Sequence, residues 1–311
     1  MSYYRNRSRK GYIMKKLLPI ILFAISIQSL TAQTLEPKLY ANTPIDANVI
    51  FIGYGHTQGA IPENQSLGLE DPNLKISSAL LAYGRSFDFL GHNAKFDLML
   101  PIASLSGTAE QYGIDVSRDV DGLADTKIRL TFNLLGAPAL SLQEFASYKQ
   151  DTIVGISIQA TLPTGQYDGS RLVNIGTNRW AIKPAIGISK RVSDYTFEFA
   201  VDAEFYSTND DFLVGIKRKQ DPVYSAQVHA LYTFRRGMWL AVGGTYYRGG
   251  EYINDGIGTN NQLRNSRMGM TFAMPIDKQN SFKVYGSKGI NVRYGSDFDA
   301  IAVVWQYSWM D

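Results

Sequence analysis

The segment YTFEFAVDAEFY, Tyr195–Tyr206, constrains the fold more than any other stretch of this chain. Successive side chains of a strand point to opposite faces, so Tyr195, Phe197, Phe199, Val201, Ala203 and Phe205 share one side. Thr196, Glu198, Ala200, Asp202, Glu204 and Tyr206 share the other. One face suits hydrocarbon and the opposite one carries three carboxylates. The pattern recurs on segments of about 10–12 residues, the length a tilted strand needs to cross a bilayer. Strands of soluble domains average only about 5–6 residues. The alternation predicts an all-β, antiparallel transmembrane β-barrel.

The N-terminus predicts the compartment. Arg5, Arg7, Arg9, Lys10, Lys15 and Lys16 precede an apolar run at 17–27 and a small-residue end, SLTAQ, at 29–33. This is a secretory signal over 1–32, cut after Ala32, with Met14 opening a conventional MKKLL start. The run is shorter than the ~20 residues of a spanning helix. Six of the 31 bases and none of the 28 acids precede Gln33, which leaves 25 bases against 28 acids, a net −3. The basic pI near 8.8 belongs to the precursor, and with it goes any electrostatic case for nucleic acid. The chain has no cysteine, which excludes disulfides, thiolate metal sites and cysteine nucleophiles. Mean hydropathy of −0.15 conceals the membrane character, because the two faces of each strand cancel.

Twelve strands are predicted, an even number as bacterial barrels have. They fall near 47–54, 74–87, 94–105, 123–135, 153–162, 179–191, 195–207, 223–234, 238–248, 264–275, 281–288 and 298–309. The barrel domain is thus 47–311. Connections after Phe87, Arg191, Phe234 and Pro275 are short; those from Gln58, Ser106, Pro163, Thr208 and Gly249 are long and polar. That rhythm matches periplasmic turns alternating with extracellular loops. Residues 136–150 break it, either as a small periplasmic helix or because the fourth strand ends later. Residues 33–46 are expected to form a periplasmic N-terminal extension, free or tucked into the lumen.

Face assignment follows from the apolar set of each strand. Ile128, Leu130, Phe132 and Leu134 face lipid in the fourth; Asp125, Lys127, Arg129, Thr131 and Asn133 face inward. Ile301, Val303, Trp305, Tyr307 and Trp309 form the apolar set of the last. Trp180, Tyr195, Tyr224, Tyr232 and Trp309 lie toward strand ends, as interfacial girdles require. The ninth strand is ambiguous, with Trp239 and Tyr247 on one face and Leu240 and Val242 on the other. Pro184 deletes a ladder donor in mid-strand and predicts a bulge.

The three histidines, His56, His92 and His229, form no catalytic or metal-binding set. Ser225 is four residues from His229, about 13 Å along one strand, too far for nucleophile and base. His229 reads as a solvated lumen residue. No enzyme activity and no cofactor are expected. The expected site is instead a charged constriction of Lys183, Asp202, Arg179, Glu204, Glu198, Lys127 and Arg129, filtering solutes by size and charge. Pairing across the hairpin after Arg191 with partner numbers summing to 385 sets Lys183 opposite Asp202 and Arg179 opposite Tyr206, with Glu204 diagonal to both bases.

Several stretches resemble an outer-membrane family associated with the meta-pathway of phenol degradation. They are NLLGAPAL (133–140), LPTGQYDGSRLVNIGTNRWAIKPAIGIS (162–189), STNDDF (207–212), QDPVYSAQVHALYTFRRGMWL (220–240), YYRGG (246–250) and DFDAIAVVWQYSWM (297–310). The resemblance implies a signal-bearing barrel of the bacterial outer membrane that passes hydrophobic or aromatic small molecules. Its implied partners are the lipid bilayer, lipopolysaccharide, the barrel-assembly machinery and a small-molecule solute. Trp309, followed by Met310 and Asp311, stands in place of the usual terminal aromatic assembly signal. Passive transport of small solutes is the leading expectation. The alternative is a non-conducting structural or adhesion barrel acting through its extracellular loops.

Overall fold

The computed structural model describes residues 36–60, 69–111, 113–213, 215–294 and 297–311, and its two-faced segments are strands of one closed sheet. The first part of the chain forms β1 (Ala47–Ala60), β2 (Leu69–Phe89), β3 (His92–Gln111), β4 (Ile114–Leu123) and β5 (Thr126–Leu135). A short helix α1 (Leu142–Phe145) precedes β6 (Thr152–Leu162), β7 (Ala181–Val192) and β8 (Tyr195–Tyr206). Two loop strands, β9 (Asn209–Phe212) and β10 (Ile216–Gln220), come before β11 (Val223–Arg235) and β12 (Met238–Gly249). Two more, β13 (Tyr252–Asn254) and β14 (Ile257–Gly258), lead to β15 (Leu263–Pro275), β16 (Asn280–Asn291) and β17 (Asp297–Met310).

All wall pairings are antiparallel, and β1 against β17 closes the barrel. Both β4 and β5 lie along β3, from Gln111↔Ile114 to Ile102↔Leu123 and from Met99↔Lys127 to Ala94↔Phe132. They are one wall strand interrupted at Ala124 and Asp125, so the wall has the twelve predicted strands. Closure leaves no edge in hydrocarbon, where an unsatisfied backbone group costs several kcal/mol. At 21 and 20 residues, β2 and β3 run well past the ~10 residues a crossing needs. The region from Ser106, expected as an irregular loop, is therefore a β3–β4 hairpin standing above the membrane. The four loop strands make a separate small sheet over the long-loop end.

The faces follow the alternation. Phe197 and Ile301 are 51% and 59% exposed on the outside, while Thr131 and Gln306 are wholly buried inside. In β12 the ambiguity resolves with Trp239 and Tyr247 inward and Val242 outward, and Gly243 on the inward face makes room for the His229 ring. Rings cluster at the short-turn end: Tyr195 and Tyr232 centroids are 5.1 Å apart and those of Tyr307 and Trp309 5.9 Å. Among the described residues no helix is long and apolar enough to cross a membrane. The signal expected over 1–32 lies outside the described residues.

One open alternative is decided and one local expectation changes. Residues 136–150 contain a helix: Ser141 and Glu144 close a capping box around α1. The Ser141 hydroxyl and backbone N–H hold the Glu144 carboxylate below the usual carboxylate range. At Pro184 no bulge forms. The β7–β8 ladder skips Lys183 and Pro184, yet Ile182↔Phe205 and Ala185↔Asp202 keep one register, so no extra residue is inserted. That register sums to 387, because the hairpin turn is only Ser193 and Asp194. Asp202 therefore faces Ala185, and Ala181 rather than Arg179 faces Tyr206.

Candidate functional site

Two inward segments divide the lumen. Residues 36–46, expected as a periplasmic extension with a luminal placement left open, lie inside the barrel in its short-turn half. Wall side chains hold this segment largely by its backbone. Lys95 Nζ donates to the carbonyls of Leu39 and Ala41 at 2.5 and 3.1 Å. The Lys38 N–H donates to Glu198 Oε2 at 2.8 Å, and the Glu36 N–H to Gln227 Oε1 at 3.2 Å. Asn93 Nδ2 donates to the Thr43 carbonyl at 2.8 Å. The Lys38 ammonium stands over the Trp239 ring, 4.8 Å from its centroid.

At its inner tip the Glu36 carboxylate pairs with Arg129, whose Nε also lies 3.0 Å from Asp97 Oδ2. All three side chains are at most 6% exposed. Two carboxylates around one guanidinium compensate a charge that would be costly alone in this setting.

The second segment comes from the opposite end. The break between β4 and β5 turns Asp125 into an anchor: Oδ1 accepts from the Gly165 N–H at 2.9 Å, and Oδ2 from the Thr177 N–H and hydroxyl at 2.9 and 2.6 Å. The loop between β6 and β7 is thereby pulled into the mouth. Its Ile175, 2% exposed, packs with Leu74, Ile76, Leu105, Val120 and Phe298. The two limbs of the loop touch at Gly165 and Gly176, where a Cβ on Gly165 would come within 2.7 Å of the Gly176 Cα. Much of the longest stretch resembling the phenol-pathway family is this inward loop.

The expected site residues are all luminal but do not act as one ring. Arg129 and Glu198 seat the N-terminal segment. Lys127, Lys183, Asp202 and Glu204 lie on the luminal face of β5, β7 and β8. Lys183 and Asp202 form no direct ion pair; Asp202 instead accepts from the Ser225 hydroxyl at 2.5 Å. Arg179 stands at the mouth, its guanidinium 4.4 Å from the Tyr206 centroid. His229, read as solvated, is buried, with Nδ1 3.8 Å from Glu198 Oε2. Sequence reasoning missed Glu36, Asp97 and Lys95, and placed Asp125 on the inward face without its anchoring role. Asp97 and Lys95 alternate with lipid-facing Phe96 and Leu98, so strand parity alone would have found them.

Comparison with curated protein sequences gave no match. Among solved structures, the COG4313 outer membrane channel from Pseudomonas putida F1 is similar with a TM-score of 0.73 and 19% identity, over 89% of this chain and 100% of that one. The transport unit of the autotransporter AIDA-I from Escherichia coli has a TM-score of 0.53 at 11% identity, over 85% and 90%. Identities this low carry the fold alone. The model of the family described as "Putative MetA-pathway of phenol degradation" matches residues 58–304. The chain folds as an antiparallel β-barrel and belongs to that family.

Proposed function

We propose that the protein passively conducts small solutes, hydrophobic or aromatic ones among them, across the outer membrane, with no catalytic step. The observation that carries this reading is the polar inner wall. Lys127, Lys183, Asp202 and Glu204 line the luminal face of β5, β7 and β8, where a barrel built only as a scaffold has no need of charges of both signs. The similarity to an outer membrane channel supports the same reading. Twelve strands lie between eight-stranded barrels filled by side chains and porins of 16–18 strands with wide aqueous channels. Lipopolysaccharide and the barrel-assembly machinery are the proposed partners beyond bilayer and solute.

The filling of the lumen by residues 36–46 and by Ile175 favours a second reading, a closed barrel that acts through its loops. Planar-bilayer recording separates the two, using the parent and a variant lacking 33–43. Transport requires current from the parent, larger or more frequent in the deletion. Silence from both, with no entry of a labelled aromatic solute into liposomes, leaves the closed barrel.

A further inference from the structure

At the extracellular mouth five planar groups stack in alternation. The Arg218 guanidinium carbon lies 3.2 Å from the Phe212 centroid and 4.7 Å from that of Tyr252. Arg179 covers Tyr252 at 5.6 Å and Tyr206 at 4.4 Å. The order is Phe212, Arg218, Tyr252, Arg179, Tyr206. The stack joins β9, β10 and β13 of the small outer sheet to the rim of the barrel wall. It is on the solute side of that wall: Arg179 has the parity of luminal Lys183, while Trp180 and Ile182 point outward and are 52% and 46% exposed. A lipid headgroup on the outer surface is therefore not its partner.

The stack holds two guanidiniums without an acid. Neither Arg179 nor Arg218 has a carboxylate within ion-pair distance among the described residues. Their polar contacts are to neutral amides: Arg218 Nε donates to Asn254 Oδ1 at 3.0 Å, and Arg179 donates to Gln220 Oε1. The Glu204 carboxylate, below the stack, accepts from the Tyr206 hydroxyl at 3.0 Å. Burial lowers the Arg218 guanidinium to about 10, and the neighbouring Arg179 charge adds to that effect. Two other arginines are buried: Arg129 has two carboxylates, and Arg267 has the Ser287 hydroxyl and the Phe298 carbonyl. Stacking uses the guanidinium faces and leaves edge N–H donors, which fit a planar oxyanion in bidentate fashion.

We propose that Arg179 and Arg218 form a binding site for a small aromatic carboxylate at the entrance of the solute path. The guanidinium edges take the carboxylate, and the half-buried rings of Tyr206 and Tyr252, stacked on Arg179, flank it. The site rests on the transport reading for its purpose, since it selects what enters, but its occupancy is measurable without conduction.

Benzoate is the probe, titrated calorimetrically into the purified barrel in detergent, beside benzyl alcohol, acetate and chloride. One saturable benzoate site is expected, with benzyl alcohol not binding and acetate binding more weakly. Arg218→Met and Arg179→Met should each weaken benzoate about tenfold or more, as loss of a charge-assisted hydrogen bond does. Arg218→Lys keeps charge without the fork and should fall between. Heat-modifiable migration reports folding of each variant, and Gln220→Ala, which frees an Arg179 donor, should bind at least as well as the parent. The proposal is overturned if the parent binds no benzoate, if the folded arginine variants bind it unchanged, or if chloride and acetate compete as well as benzoate. Potassium chloride current from the same preparation is independent: current without benzoate binding ends the site and leaves transport standing.

Discussion

Gly155 on β6 and Gly187 on β7 are direct ladder partners, and the ring of Tyr40 rests against both. A Cβ on Gly155 would lie 2.2 Å from one ring carbon, and a Cβ on Gly187 2.3 Å from another. The two glycines are a slot in the barrel wall that admits the inserted segment. Its hydroxyl reaches Ser157 Oγ at 3.5 Å.

Filling that slot should unseat the segment and leave the barrel closed. Overpacking costs about 1–3 kcal/mol, so Gly187→Val should speed maleimide labelling of Lys38→Cys roughly five- to a hundredfold. Tyr40→Ala should act in the same direction. An unchanged rate in both would show that the slot does not hold the segment.

Arg129 offers a stability test. Arg129→Met removes the guanidinium between the buried Glu36 and Asp97 carboxylates, and the expected loss is about 3–5 kcal/mol in urea unfolding from micelles. Adding Glu36→Gln and Asp97→Asn to Arg129→Met should recover most of it. If the triple variant is no better than the single, the loss arises from packing rather than uncompensated charge.

The mid-lumen charges predict selectivity. Asp202→Asn removes a negative charge and should shift the reversal potential under a salt gradient toward anions; Lys183→Met should shift it toward cations. The two side chains lie diagonally across the β7–β8 ladder with Glu204 between them, so their effects are coupled and the double variant's shift should not equal the sum. Parent-like potentials in both would place the constriction elsewhere.

Topology is checked on intact cells. A cysteine at Asn260, in the loop between β14 and β15, should label with an impermeant reagent, and one at Gly237, in the short β11–β12 turn, should not. The reverse pattern would invert the barrel.

Mass spectrometry of the membrane form should find the mature chain beginning at or near Gln33. With cleavage there, only Gln33, Thr34 and Leu35 precede Glu36 and its buried partner Arg129. A retained 17–27 run would replace the signal reading with an anchor.

Strand periodicity alone determined the barrel, its twelve strands and the face of nearly every wall residue. A period of two is a local property, and in β5 and β17 it separates lipid-facing from luminal side chains without knowledge of any neighbour. Only the tertiary structure decided which luminal charges meet. The β7–β8 register turned on a turn two residues long, and a shift of two residues moved Asp202 from Lys183 to Ala185. Glu36, Arg129 and Asp97 come from the N-terminal segment, β5 and β3, and Arg179 meets Tyr252 across 73 residues. No local pattern encodes such meetings, because they depend on how closure of the sheet brings distant strands around one axis and on which segments fold into the space it encloses.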